Sequence, residues 1–223
     1  MFSELDEVRF QDRFLSWVRA VSAISQGQVV AVDGKTLWRS HDRALGKGTI
    51  VMVSAWARGN CMVLSQTKAD EKSAEVTAIP ELLQVLDLSG CIISIDALGC
   101  HKDIAAEIVD QEADYVPALK QNQANLYDDV QLLFDDFEGS DFSAYAYDYE
   151  RSVDKGHGRI EIRHRSTTSD PEILRYLRGA TEWPNLASIV QVQAERQVAG
   201  NAATETRYYL SSLVGDAAQN LAT

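Results

Sequence analysis

The chain has 223 residues, 45% hydrophobic and 24% charged, the balance of a folded globular protein with a core of its own. Thirty-three acids against 21 Lys and Arg leave a net charge of −12, which argues against gripping nucleic acid by bulk charge; such contact needs a local basic patch. Three cysteines (Cys61, Cys91, Cys100) with no CxxC pair exclude a disulfide framework and a zinc knuckle. Reduced thiols, no membrane-length apolar run, and Glu4, Asp6, Glu7 and Asp12 at the front give the expectation of a cytoplasmic protein without a membrane partner.

Phe10, Phe14, Trp17, Val18 and Val21 recur at helical spacing and predict an amphipathic N-terminal helix within residues 1–27. At Gln28 the period changes. Val29-Val30-Ala31-Val32 reads as a strand buried on both faces, stopping at Asp33-Gly34-Lys35. Ile50 to Ala57 and Cys61 to Gln66 predict two more strands around an Arg58-Gly59-Asn60 turn. Ser73 to Leu88 turns helical through Ile79, Leu82, Leu83 and Leu86, with Pro80 fitting a first turn. Cys91 to Ile95 is a second buried strand, ending at Asp96. A helix through Ile104, Ile108 and Val109, a strand over Asp114 to Leu119 and a helix through Leu126, Val130, Leu133, Phe134 and Phe137 follow. Beyond them, residues 128–150 hold eight acids and no Lys or Arg, whereas 151–165 carry Arg151, Lys155, Arg159, Arg163 and Arg165 against Asp154 and Glu161. Ser188 to Gln193 and Thr206 to Leu213 read as strands joined near Gly200.

The order β-β-β-α-β-α-β-α over residues 28–138 predicts an α/β fold, a mixed sheet covered by helices on both faces. Residues 28–140 form the core in this reading, and 141–223 a β-rich C-terminal insertion region. In a ribonuclease H-like arrangement the first and fourth strands lie side by side and parallel, so Asp33 and Asp96 become neighbours. Either aspartate alone reads equally well as a turn former or helix cap. Together they suit a hard divalent ion: two adjacent carboxylates repel, and Mg²⁺ takes one or two carboxylates plus phosphate and water oxygens. Gly34-Lys35-Thr36 is not a phosphate loop, because position 29, where the motif needs glycine, is Val. The run KGHGRIEIRHR admits two readings. Lys155, His157, Arg159 and Arg163 can contact DNA phosphates, or Arg159, Glu161 and Arg163 can be the wet face of an edge strand alternating with Ile160 and Ile162.

AVDGKTLWRS, SQTKADEKSAEVTAIPELLQVLDLSGCIISIDALGCHKDIA, DYVPALKQNQANLYDDV and KGHGRIEIR together resemble the H-repeat-associated transposases of bacterial insertion sequences. The resemblance covers most of residues 10–215. It implies a ribonuclease H-like catalytic core, a DDE triad, Mg²⁺ or Mn²⁺, and cutting and strand transfer of DNA at element ends. Its first two acids, the metal ligands, fall on Asp33 and Asp96. The third belongs on a helix beyond the Tyr-Tyr-Leu-Ser-Ser-Leu run, here Tyr208 to Leu213, and the sequence stops at Thr223 before such a helix. Glu161 is the nearest substitute in the chain. The resemblance further implies an additional N-terminal domain. The expectation is therefore the central part of a transposase, truncated at both ends, catalytically impaired, and prone to self-association through uncovered apolar surface. The competing expectation is a non-enzymatic DNA-binding remnant that uses residues 151–165.

Overall fold

Val30 and Val32 are buried while Val29 and Ala31 are half-buried, the two-residue alternation that makes the first apolar run a strand. The computed structural model describes residues 27–36, 51–59, 62–69, 72–139, 147–156, 159–198 and 201–215, with single positions 9, 13 and 16. The predicted N-terminal helix, apart from those positions, lies outside the described residues, as do Trp17, Trp38, Cys61 and His157.

The strands are β1 (Val29–Thr36), β2 (Val51–Ala57), β3 (Met62–Ala69), β4 (Ile92–Ile95), β5 (Asp114–Leu119), β6 (Asp148–Gly156), β7 (Arg159–Thr168), β8 (Ser188–Val198) and β9 (Asn201–Ser211). The helices are α1 (Lys72–Gln84), α2 (Lys102–Asp110), α3 (Ala124–Gly139) and α4 (Pro171–Tyr176). All nine strands join one sheet in the order β3-β2-β1-β4-β5-β9-β8-β7-β6. β1, β4 and β5 are mutually parallel and the remaining pairs antiparallel. The first five strands have the ribonuclease H-like order, with β1 and β4 adjacent.

Apolar side chains of α1 to α4 all enter one cluster with Val30, Val32, Val53, Ile93, Ile95, Tyr115, Ile189 and Leu210. Strand residues of the opposite parity, Val116, Val190, Val192 and Tyr209, form a second, smaller cluster. Helices are expected on both faces; among the described residues they pack on the face of the larger cluster. Tyr208 of β9 joins it by stacking on Phe134 of α3 at 5.9 Å between centroids, with Tyr127 edge-on at 5.5 Å. Such pairs contribute about 0.5–1.5 kcal/mol each beyond their buried area.

Two details depart from expectation. Pro80 lies inside α1, where its missing amide removes one backbone bond, rather than in a first turn. β7 is interior, flanked by β6 and β8, so the alternating run 159–163 is not an edge strand. The edge is β6, built from the junction of the acidic and basic stretches.

Asp129 of α3 anchors the turn after α4. Its carboxylate accepts from the Arg178 backbone amide at 2.8 Å and from Arg178 Nε at 3.0 Å, and these bonds hold its pKa below the usual range. A depressed carboxylate pKa stabilises the fold above the unfolded value, about 3.9, and that contribution disappears as pH falls through the folded value. Arg178→Ala is therefore expected to lower stability near pH 6 and to flatten the loss of stability below about pH 4, read from urea midpoints across pH. A parallel offset from wild type at every pH contradicts this role.

Candidate active site

β1 and β4 pair in parallel as Val29↔Ile92, Val30↔Ile93, Ala31↔Ser94 and Val32↔Ile95. One residue further along each strand stands an aspartate. Asp33 still pairs with Ser54 of β2 on its other side. Asp96 ends β4 in extended backbone and caps a short helical turn over Ala97–Gly99, accepting from the Leu98 amide at 3.1 Å. Neighbouring strands lie about 4.8 Å apart, so register alone makes the two carboxylates neighbours at the carboxyl ends of parallel strands, where open α/β sheets take their ligands.

The turn after Asp96 is held from two sides. A Cβ on Gly99 would stand 2.2 Å from Ile95 Cγ2 and 3.0 Å from Ile79 Cδ1, so only glycine lets this turn close on the core. From the segment following β5, Asn122 Nδ2 donates to the Ala97 carbonyl at 2.8 Å and Gln123 Nε2 to the Cys100 carbonyl at 3.0 Å. Cys100 is buried, and burial first, then the charge of Asp96, pushes its thiol pKa up to about 12. At neutral pH it is a buried, protonated thiol.

A cleft of about 510 Å³ opens over these strand ends. Asp33 and Asp96 line it together with Lys120, Tyr127, Glu205 and Arg207. The Asp33 side chain is 56% exposed, with Lys35 Nζ 3.8 Å from its carboxylate. Arg207 donates through Nε and Nη2 to the two oxygens of Glu205 at 2.8 and 2.9 Å. Those hydrogen bonds lower the Glu205 pKa and raise that of Arg207. The two aspartates offer what a hard divalent cation takes, carboxylate oxygens open to water and phosphate. Among the described residues no three His, Cys, Asp or Glu side chains are grouped to hold a metal.

Glu161 does not join the aspartates. It sits on β7, four strands from β4 and thus about 19 Å across the sheet, and accepts from Arg163 Nη2 at 2.6 Å. Lys155 and Arg159 are exposed at the far end of the β6–β7 pair, Arg163 also lies 3.8 Å from Asp154, and His157 falls outside the described residues. Glu205 and Arg207 were not foreseen as cleft residues. Their signal is faint: a polar pair two residues apart, immediately before the apolar Tyr-Tyr-Leu run.

The first five strands form a ribonuclease H-like sheet in which Asp33 and Asp96 stand one residue beyond the last pair of β1 and β4. Residues 24–217 match the family model described as "Transposase DDE domain", and the chain belongs to this family. YncI of Escherichia coli O157:H7, which bears a transposase name, is 39% identical over 219 residues, covering 96% of this chain and 55% of that protein. YhhI of Escherichia coli K12, which bears an H repeat-associated transposase name, is 35% identical over 212 residues, covering 93% of this chain and 55% of that protein. The chain thus spans about half the length of these relatives. Among solved structures, a piggyBac transposase synaptic complex with hairpin DNA matches 97% of this chain and 41% of its own, with a TM-score of 0.39 at 10% identity, too low to add to the assignment.

Gly99→Ala is expected to destabilise the chain by about 1–3 kcal/mol through overpacking, read as a lower urea midpoint. Adding Ile95→Ala, which removes the clashing Cγ2, should make the Gly99 substitution cheaper than it is alone, measured as a coupling in the double-mutant cycle. An unchanged midpoint for the single variant contradicts the close approach.

Proposed function

We propose that the chain is the catalytic core of a DDE transposase, acting on DNA at insertion-sequence ends, with Asp33 and Asp96 as the two acids it contributes to a divalent-metal site. The observation that carries this reading is the register: both aspartates follow directly on the last pair of two parallel central strands, inside a family match that spans them. Mg²⁺ or Mn²⁺ bound there would supply charge stabilisation and an activated water or hydroxyl for phosphodiester cutting and joining. Asp33 and Asp96 would hold the ion, and the Leu98 amide keeps the Asp96 carboxylate fixed at the strand end.

In this reading the third acid lies beyond the Tyr208 to Leu213 run and outside the 223 residues, so the chain by itself is catalytically impaired. Glu161 has little support as a replacement, given its distance across the sheet and its bond to Arg163. The alternative, a DNA-binding remnant using residues 151–165, draws on exposed Lys155 and Arg159. It is weakened because Arg163 pairs with Glu161, and buried Arg165 with Glu150 at 3.2 Å.

Plasmid nicking tests the proposal. The 223-residue chain is expected to stay near background in Mg²⁺. Substituted into YncI for the region it matches, as a fusion, it should gain nicking of about 10²-fold or more, lost on Asp33→Asn or Asp96→Asn. Strong nicking by the unfused chain, lost on Asp96→Asn, contradicts the impairment. Nicking by the fusion that is indifferent to both aspartates contradicts the site.

A further inference from the structure

Glu205 and Arg207 are two residues apart on β9 and share a face of that strand with Tyr209. The registers Ala31↔Ser94, Ser94↔Val116 and Ala118↔Tyr209 carry that face across the sheet. Asp33, Asp96, Glu205 and Arg207 therefore project from one side of one sheet, and all four line the same cleft. An arginine within reach of a phosphoryl-transfer site is a natural phosphate contact, yet here its fork is filled by a carboxylate in a two-point arrangement. A phosphodiester offers the same pair of oxygen acceptors.

We propose that Glu205 and Arg207 form a latch in which the arginine is a phosphate-contacting residue held in reserve, exchanging the carboxylate for a backbone phosphate when DNA enters the cleft. This inference rests on the DNA reading of that cleft given above. Three observations support an exchange over a fixed structural bridge. The Arg207 and Glu205 side chains are 52% and 61% exposed, and a solvent-exposed ion pair of this kind contributes little to folding, so breaking it costs little. The neighbouring Tyr208 is buried against Phe134 and Tyr127, which fixes the backbone from which Arg207 projects. Lys120 also lines the cleft and its charge already helps to hold the Glu205 carboxylate ionised, so a second cation is at hand when the arginine leaves. Arg163, another arginine paired to a carboxylate two residues away, lacks these conditions: it is 27% exposed and sits on β7, far from the aspartates.

The latch makes the two partners act in opposite directions. In fluorescence anisotropy with a short labelled DNA duplex and the 223-residue chain, Arg207→Gln should weaken binding ~5- to 20-fold and reduce the slope of log K against log salt by about one. Glu205→Gln should tighten binding ~2- to 5-fold, since it frees the arginine and removes an anion facing the phosphate. Arg207→Lys should keep the salt slope while losing part of the affinity, because a point charge replaces the fork. Unchanged thermal melting confirms that the variants are folded. The latch is overturned if Arg207→Gln and Glu205→Gln shift affinity in the same direction, or if neither shifts it while wild type binds. It is also overturned if Glu205→Gln removes Mg²⁺-stimulated binding as Asp33→Asn does, which would make Glu205 a metal ligand. Wild type showing no salt-dependent binding removes the DNA reading and the latch together, whereas indifference of Arg207 in a chain that binds removes the latch alone.

Discussion

The parallel pairing of β1 with β4 is the constraint on which the rest of the molecule depends. Two apolar strands separated by a β-hairpin and a helix can lie parallel only if the intervening chain crosses over, and α1 supplies that crossover while covering Val30, Ile93 and Ile95 with Ile79, Leu82 and Leu83. Once Val32 faces Ile95, the aspartates one residue on become neighbours without any further device. A register shift of one residue would turn one of them toward the helices and leave a carboxylate buried among Leu and Ile. The apolar alternation that holds the strands is thus also what fixes the acids.

Around that pair the fold separates support from exposure. The turn after Asp96 is braced by a glycine whose place any added Cβ would overpack and by two amide side chains from the segment after β5. Asp33 has a different setting, still within its strand and more than half exposed. One acid is therefore fixed by local hydrogen bonding and the other by its place within the sheet. β9 closes the cleft from the other side, anchored by Tyr208 below and carrying the Glu205–Arg207 pair above.

Much of this was legible because burial leaves a periodic trace. The strands over 29–32, 91–95 and 114–119 and the helices after them are continuous apolar runs or 3.6-residue stripes, and their order predicts the sheet. The outer halves of β6, β8 and β9 leave no such trace, since they are exposed or half-buried on both sides, and β8 and β9 extend well past the apolar runs 188–193 and 206–213. Pairing with neighbours, rather than side-chain pattern, makes them strands. The same reason hid Glu205 and Arg207: nothing about an exposed Glu-Thr-Arg says which strand end it faces until β9 is seen beside β5. Glu161 shows the converse, an acid in a motif of the right wording that the sheet order carries away from the aspartates.

The central claim, one divalent-ion site shared by Asp33 and Asp96, is most directly tested by paramagnetic broadening of backbone amide signals with Mn²⁺, which registers even weak binding. The account predicts broadening centred on residues 32–35 and 95–98, weaker at Lys120, and abolished by Asp33→Asn or Asp96→Asn alone. Broadening centred on the acidic helix α3, or broadening at the strand ends that survives both substitutions, would contradict it.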